Sequence, residues 1–315
     1  MAEFTTTSTW IVAGEVSAGT IAEYVERYLL ERRVEGLSPK SIRLYSFALS
    51  RFAQFAGDDT PVELIDYHTV RTFFFHIYEH GYKPASLTIF NITLRMFCAW
   101  LHREGLLGDN PAARIAKPRA GKRIPYCLND DQVRSLLDSC KDNWTGQRSR
   151  SILLTFLGAG LRVSELASLS MDDINLGAGS MLVKGKGNKE RTVPIGRTLS
   201  ANLEGWLDIR ESFLAGSPQS AFFVTKHREQ PETHGLYSLV KRLGIRAGIT
   251  SVRCSPHTLR HTFATNYMRN GGDVVSLQKI MGHASINSTL IYVHLAMNEI
   301  RADFERADPL KLFTC

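Results

Sequence analysis

Four stretches in the first third of the chain repeat apolar residues at intervals of three and four, which leaves them one economical way to be buried: as amphipathic helices packed face to face. The first, over about 20–34, carries Ile21, Tyr24, Val25, Tyr28 and Leu29, and Gly36 ends it. Ser38-Pro39 supplies a cap and a first-turn proline for the second, whose apolar side is Ile42, Tyr45, Leu49, Phe52 and Phe55. Gly57-Asp58-Asp59 stops it. The third spans about 68–80, and the fourth about 85–104, with Leu87, Phe90, Leu94, Phe97, Trp100 and Leu101 on one side. Short connections between four helices predict a compact all-α unit over 18–113, after a loose tail at 1–17 rich in Thr, Ser, Ala and Gly. The aromatic stripes are expected to be its core rather than platforms for stacking bases.

Five basic residues follow within ten positions, Arg114, Lys117, Arg119, Lys122 and Arg123, with Pro118, Gly121 and no acid among them. Segment 114–124 is therefore an interdomain linker, either tracking a phosphate backbone or simply solvated. The remainder, 125–315, is expected to be mainly α with one small hairpin. Cap signals and periodicity predict helices at about 129–140, 149–158, 199–214, 235–247, 256–270, 274–281, 285–293 and 296–305, and another starting after Gly160. Residues 181–183 and 191–195 are short β-like runs, and between them Lys184-Gly185-Lys186-Gly187-Asn188-Lys189 makes a hairpin tip dense in glycine and positive charge.

Composition narrows the function classes. The chain contains no run of about 18 apolar residues, so no membrane span is expected, and no basic-then-apolar leader opens it. Its five cysteines, Cys98, Cys127, Cys140, Cys254 and Cys315, include no C-x-x-C pair, which argues against a disulfide framework or a zinc site and for a reducing cytoplasm. The formal charge of +7 is unevenly placed: basic and acidic residues balance at 13 each up to Ala120, and 25 stand against 18 from Gly121 onward. Such an excess permits a polyanionic partner and equally describes a solubilising surface.

The chemistry concentrates in Ser255-Pro256-His257-Thr258-Leu259-Arg260-His261-Thr262, then in Met281-Gly282-His283 and Tyr292. Ser255 and Pro256 start a helix on which His257 and Arg260, three apart, share a face. Direct attack on a phosphodiester needs an in-line nucleophile, stabilised charge on the non-bridging oxygens and a proton for the leaving oxygen. An arginine fork holds two such oxygens and keeps its charge. Imidazoles donate or move protons. A phenol, with an ordinary pKa of about 10, attacks once a base or nearby cations activate it. Arg162, at a helix start after Gly160, is a second arginine, and Lys186 on the hairpin tip is a general-acid candidate for the leaving 5′-oxygen. Singly, these are a surface arginine, a turn lysine and structural histidines; together they suit a phosphodiester.

Four pieces in this order, Gly-Leu-Arg-Val-Ser-Glu-Leu at 160–166, Gly-Lys-Gly-Asn-Lys-Glu-Arg at 185–191, His-Thr-Leu-Arg-His at 257–261, and Gly282-His283 with Tyr292 nine residues on, are specific as a set. With them the chain resembles the tyrosine recombinase (phage integrase) family, most closely its simple Xer-type and transposon or phage resolvase-like members. The resemblance covers roughly Thr20 to the C-terminus and is weaker in the helical first part. It implies a SAM-like, four-helix core-binding domain and a mainly-α catalytic domain with a small β-sheet or hairpin, clamping DNA from opposite sides.

The resemblance also implies roles. Arg162 and Arg260 would clamp the scissile phosphate, with His257 and His283 binding it or assisting proton transfer. Lys186 would be the general acid, and Tyr292 would attack to give a 3′-phosphotyrosine. Glu165 matches an acidic family position and would orient the site; read alone, it is an i,i+3 partner of Arg162. His261 and His294 match recurrent positions and are assigned no chemistry. Lys184 and Lys189 join the linker's Arg114, Lys117, Arg119, Lys122 and Arg123 as expected DNA contacts. No cofactor or metal is required. Four protomers, all of this chain or shared with a related recombinase, would exchange strands between inverted-repeat core sites through a Holliday junction. The tail around Pro309-Leu310-Lys311-Leu312-Phe313 would dock on a neighbour, in the cytoplasm at the nucleoid. The tail at 1–17 is too short for the extra arm-binding domain of some phage integrases, and Ser149 stands where the family often has an acid. Rival readings are a type IB topoisomerase-like enzyme that relaxes DNA and a DNA-binding or architectural protein without catalysis.

Overall fold

A computed structural model describes residues 19–116, 125–185 and 189–306, with side chains described to residue 296. The tail at 1–17, Lys117, Arg119, Lys122, Arg123, Lys186 and the C-terminal 309–313 lie outside the described residues. The chain divides into two compact units, residues 1–122 and 123–315.

In the first unit, α1 (Ile21–Val34), α2 (Pro39–Ala56), α3 (Tyr67–Glu79) and α4 (Pro84–Arg103) follow the apolar stripes. Thr20 opens α1 with a reciprocal capping box: its Oγ1 accepts from Glu23 N at 3.3 Å, and Glu23 Oε2 accepts from Thr20 N at 2.9 Å. Ser38 caps α2 ahead of Pro39, and Asp66 caps α3 by accepting from Thr69 N at 2.7 Å. Tyr28, Phe52, Phe73, Phe90 and Phe97 are buried together, so the aromatic stripes are core. Trp100 is buried too, and its indole Nε1 donates to Glu31 Oε2 at 2.7 Å, which satisfies the polar end of a large apolar ring.

The second unit packs α5 (Asp130–Asp138), α6 (Trp144–Ala159), α7 (Val163–Ala167), α8 (Arg197–Leu214), α9 (Thr233–Arg246), α10 (Pro256–Arg269), α11 (Val274–Met281) and α12 (Asn287–Arg306) with a small antiparallel sheet. The sheet order is β1 (Ile174–Asn175), β2 (Ser180–Lys184), β3 (Glu190–Pro194), with Val183 opposite Arg191. Strand β1 escapes the sequence pattern because two residues are too few to show alternation. Phe156, Leu161, Trp206, Phe222, Phe223 and Leu259 anchor the core, and α6 and α10 cross it side by side.

Sequence periodicity breaks the last helix near Leu295, whereas α12 runs unbroken from Asn287 to Arg306. No glycine or proline occurs between those residues, so nothing interrupts the backbone ladder. Tyr292 consequently projects from the second turn of a 20-residue helix. No helix among the described residues is long and apolar enough to cross a membrane.

Helix α10 depends on its cap. Ser255 Oγ accepts from Thr258 N at 3.2 Å ahead of Pro256 at the first helical position. Replacing Ser255 by Ala should lower unfolding free energy by about 1 kcal/mol, measured by urea denaturation, and leave the far-ultraviolet dichroism of the folded protein unchanged.

Candidate active site

Helix α6 ends on Gly160, whose φ of +61° is the left-handed turn that stops the helix. A Cβ there would overlap the ring of Phe263, so glycine is demanded by space as well as by backbone. Two residues on, Arg162 caps α7, and Glu165 reaches back to it. Glu165 Oε2 accepts from Arg162 N at 2.7 Å, and Oε1 accepts from Arg162 NH1 at 2.7 Å. The i,i+3 pair foreseen in the sequence is thus part of a cap, not a surface ion pair.

Glu165 is also held from the sheet. Arg191 on β3 donates NH1 to Oε1 at 2.8 Å and NH2 to Oε2 at 2.9 Å, a bidentate fork on a carboxylate whose side chain is 2% exposed. Burial pushes the Glu165 pKa up, but the hydrogen bonds from Arg191 and Arg162 outweigh it and hold it at about 2. Arg260 approaches the same carboxylate at 3.8 Å.

The C-terminus of α11 gathers these arginines. Three consecutive carbonyls each accept from a different one: Ile280 O from Arg191 Nε at 2.6 Å, Met281 O from Arg260 NH2 at 2.6 Å, and Gly282 O from Arg162 NH2 at 2.8 Å. Arg260 also donates NH1 to Gly160 O at 2.5 Å. The last carbonyls of a helix lack intrahelical donors and carry its negative end, so they suit guanidinium groups. Arg260 is buried, and burial first, then the neighbouring Arg162 charge, lowers its pKa to about 10, which leaves it a cation at neutral pH. Arg162 keeps 37% of its side chain exposed and is the guanidinium open to a ligand.

His283 follows directly, its Nδ1 paired with Thr289 Oγ1 at 2.9 Å. Its ring lies nearly parallel to that of Tyr292, with centroids 6.4 Å apart. Burial, followed by the charges of Arg260 and Arg162, lowers the His283 pKa to about 4. Tyr292 is 2% exposed, and its hydroxyl meets His261 Nδ1 at 2.7 Å. Burial, then the charges of His257 and Arg260, takes His261 to about 4, so its imidazole is neutral at pH 7. In the tautomer with hydrogen on Nε2, Nδ1 accepts the phenol's proton. The phenol itself is pushed up to about 12 by burial, with Arg260 pulling the other way.

Arg162, Glu165, Arg260, His283 and Tyr292 therefore converge from three helices, α7, α10 and α12, and the turn after α11. His257 is exposed on the first turn of α10, near enough for its charge to lower the His261 pKa, and it stands against Tyr237 of α9, with ring centroids 6.2 Å apart. Lys184 Nζ sits 3.0 Å from the buried Asp173 Oδ1, and Arg114 NH2 2.9 Å from Asp109 Oδ2. Lys189 is exposed. Sequence reasoning left out Arg191 and gave His261 no chemistry. A signal for Arg191 was present: it shares strand parity with Val193 and Ile195, which are buried, so its side chain had to point inward.

Two neutral histidines have a measurable consequence. In imidazole NMR titrations the signals of His261 and His283, assigned through His261→Asn and His283→Asn, should hold their neutral positions down to about pH 5, where an ordinary histidine is already protonated. Because their folded pKa values lie below the unfolded one, their contribution to stability is present above about pH 6.5 and is lost as pH falls towards about 4. A midpoint near 6.5 for either would contradict the buried geometry.

Two family descriptions match the chain: the phage integrase family over residues 127–299 and the phage integrase N-terminal SAM-like domain over residues 21–105. Tyrosine recombinase XerC of Alcanivorax borkumensis is 32% identical over 292 residues, which cover 92% of this chain and 94% of that protein. The XerH site-specific recombinase, solved on a palindromic difH substrate in a post-cleavage complex, has a TM-score of 0.73 at 24% identity, covering 92% of this chain and 85% of that one. A lambda integrase tetramer bound to a Holliday junction also gives a TM-score of 0.73, at 18% identity, over 88% of this chain and 78% of that one. Both structures share the fold. The chain belongs to the phage integrase family, the tyrosine recombinases.

Proposed function

We propose that this chain is a site-specific recombinase that cuts and rejoins double-stranded DNA through a 3′-phosphotyrosine on Tyr292. One observation carries the reading: Arg162, Arg260 and His283 gather at the end of α11, with Tyr292 bonded to a neutral His261 beside them. In the reaction Tyr292 Oη attacks the scissile phosphorus in line. The bond from phosphorus to the 5′-oxygen breaks as the phosphotyrosyl bond forms. The phenol proton passes to a base, and the 5′-oxygen takes one from an acid, for which Lys186 is assigned. Arg162 and Arg260 hold the non-bridging oxygens, and His257 and His283 bind there or assist proton transfer. The phosphotyrosyl ester keeps the energy of the diester it replaces, so a free 5′-hydroxyl reverses the step without ATP or a cofactor.

Organisation follows from the same reading. A core-binding domain at 18–113 and a catalytic domain at 125–315 embrace DNA bearing inverted-repeat core sites, and the linker 114–124 tracks the backbone. Lys117, Arg119, Lys122, Arg123 and Lys189 are assigned to phosphates. Lys184 and Arg114 already hold carboxylates, so they exchange partners to reach DNA. Four protomers, alone or with a related recombinase, pass strands through a Holliday junction and interlock by their C-terminal tails. The lambda integrase tetramer on such a junction supports that assembly. The setting is the cytoplasm, at the nucleoid.

A nicked suicide duplex, which loses its short 5′-hydroxyl strand on cleavage, should trap a covalent protein–DNA adduct in denaturing gels. Tyr292→Phe should abolish the adduct while gel-shift binding survives. An adduct that persists in this variant would sink the nucleophile assignment. On a plasmid with two sites, recombinant circles are expected; relaxation alone would favour a topoisomerase.

A further inference from the structure

We propose that Arg191 is a positioning residue of the phosphate clamp: from β3 it fixes the Glu165 carboxylate in the orientation that presents Arg162 to the scissile phosphate. The inference rests on the reading of Arg162 as a clamp residue and extends it to a strand residue that has no place in that clamp by sequence. Arg191 itself is not the phosphate ligand. Its side chain is 14% exposed against 37% for Arg162, and its nitrogens are already spent on Glu165 Oε1, Glu165 Oε2 and Ile280 O.

Each oxygen of Glu165 has two strong donors, one from Arg191 and one from Arg162. Without Arg191, half of the bonds on a buried carboxylate vanish. The carboxylate then turns toward its remaining partner and draws the Arg162 guanidinium inward, or it takes up a proton and releases it. Both outcomes remove Arg162 from its set position. A second route runs through α11. Arg191 Nε holds Ile280 O, and the next two carbonyls hold Arg260 and Arg162. The guanidinium also packs against Gly282, where a Cβ would stand 3.2 Å from its Cδ and Nε. Lysine cannot replace this, since one ammonium does not span a carboxylate fork and a carbonyl on the opposite side.

The test compares scissile groups. Arg191→Met, and the charge-keeping Arg191→Lys, should cleave a native suicide substrate about 10- to 100-fold more slowly, by analogy with hydrogen-bond partners that orient metal ligands. Release of the 5′-hydroxyl strand is the readout, with folding checked by thermal melting and DNA binding by gel shift. A methylphosphonate at the scissile position replaces one charged non-bridging oxygen by methyl, so less charge needs holding. There the deficit of both variants should shrink by about tenfold. A bridging 5′-sulfur, which leaves without a proton, should not shrink it. Rescue by sulfur and not by methylphosphonate would place Arg191 with the leaving-group acid and overturn the proposal. Native cleavage rates in both folded, DNA-binding variants would overturn it too. If Arg191→Met does not fold, Arg191→Lys carries the same comparison. Failure of the underlying reading looks different: the wild type and Tyr292→Phe would then give the same adduct, whatever Arg191 does.

Discussion

A carboxylate taken out of water costs several kcal/mol unless its oxygens are fully engaged, and Glu165 meets that condition with four hydrogen bonds from two arginines. Three arginines of the second unit are arranged around this requirement. Arg162 comes from the turn after α6, Arg191 from the sheet and Arg260 from α10, so one buried charge ties three parts of the fold together. Since the folded pKa of about 2 lies below the ordinary 4.5, this stabilisation is present above about pH 4.5 and lost as pH falls towards about 2. Three guanidiniums against one carboxylate leave two positive charges uncompensated. The end of α11 offsets roughly half a charge of that surplus. Under the proposed function the remainder has a use, because the negative charge of a phosphodiester grows as Tyr292 attacks, and a site pre-charged for that moment binds the transition state better than the ground state.

The same surplus sorts the protonation states nearby. Cationic neighbours and burial act in one direction on an imidazole, and both His261 and His283 fall to about 4. On a phenol they act in opposite directions, and for Tyr292 burial prevails over Arg260. The outcome is a phenol within 2.7 Å of a neutral ring nitrogen, and with values of about 12 and about 4 the shared proton rests on the phenol. This contact puts His261 against Tyr292, although the sequence, which matches His261 to a recurrent family position, gives it no chemistry.

What the sequence made legible follows from how far each interaction reaches along the chain. The helices of the first unit were legible because caps and apolar stripes are local: Ser38 with Pro39, and Tyr28 and Phe97 on their faces. Arg162 with Glu165 was legible as a pair because the partners lie three residues apart on one turn. The fork from Arg191 to Glu165 was not, since 26 residues separate them and a hairpin must fold before they meet. The carbonyls of Ile280, Met281 and Gly282 were invisible for another reason: backbone acceptors have no letter in the sequence. Lys184, which reads as a free hairpin cation, is held by Asp173, and only the packing of β2 on the turn before β1 reveals it.

Two glycines show how backbone and site depend on one another. Gly160 and Gly282 both end helices in the left-handed conformation, with φ of +61° and +62°. A helix stopped in this way leaves carbonyls without amide donors at its end. In this chain those carbonyls are filled by the arginines of the site: Gly160 O by Arg260, Gly282 O by Arg162 and the two carbonyls before it by Arg260 and Arg191. The arginines therefore satisfy helix ends, and the helix ends fix where each guanidinium points. A side chain at either glycine would oppose the backbone turn and press on Phe263 or on Arg191, respectively. The short distance in sequence from Gly160 to Arg162, and from Gly282 to His283, is thus a mechanical linkage: the turn that stops the helix is the turn that aims the next residue.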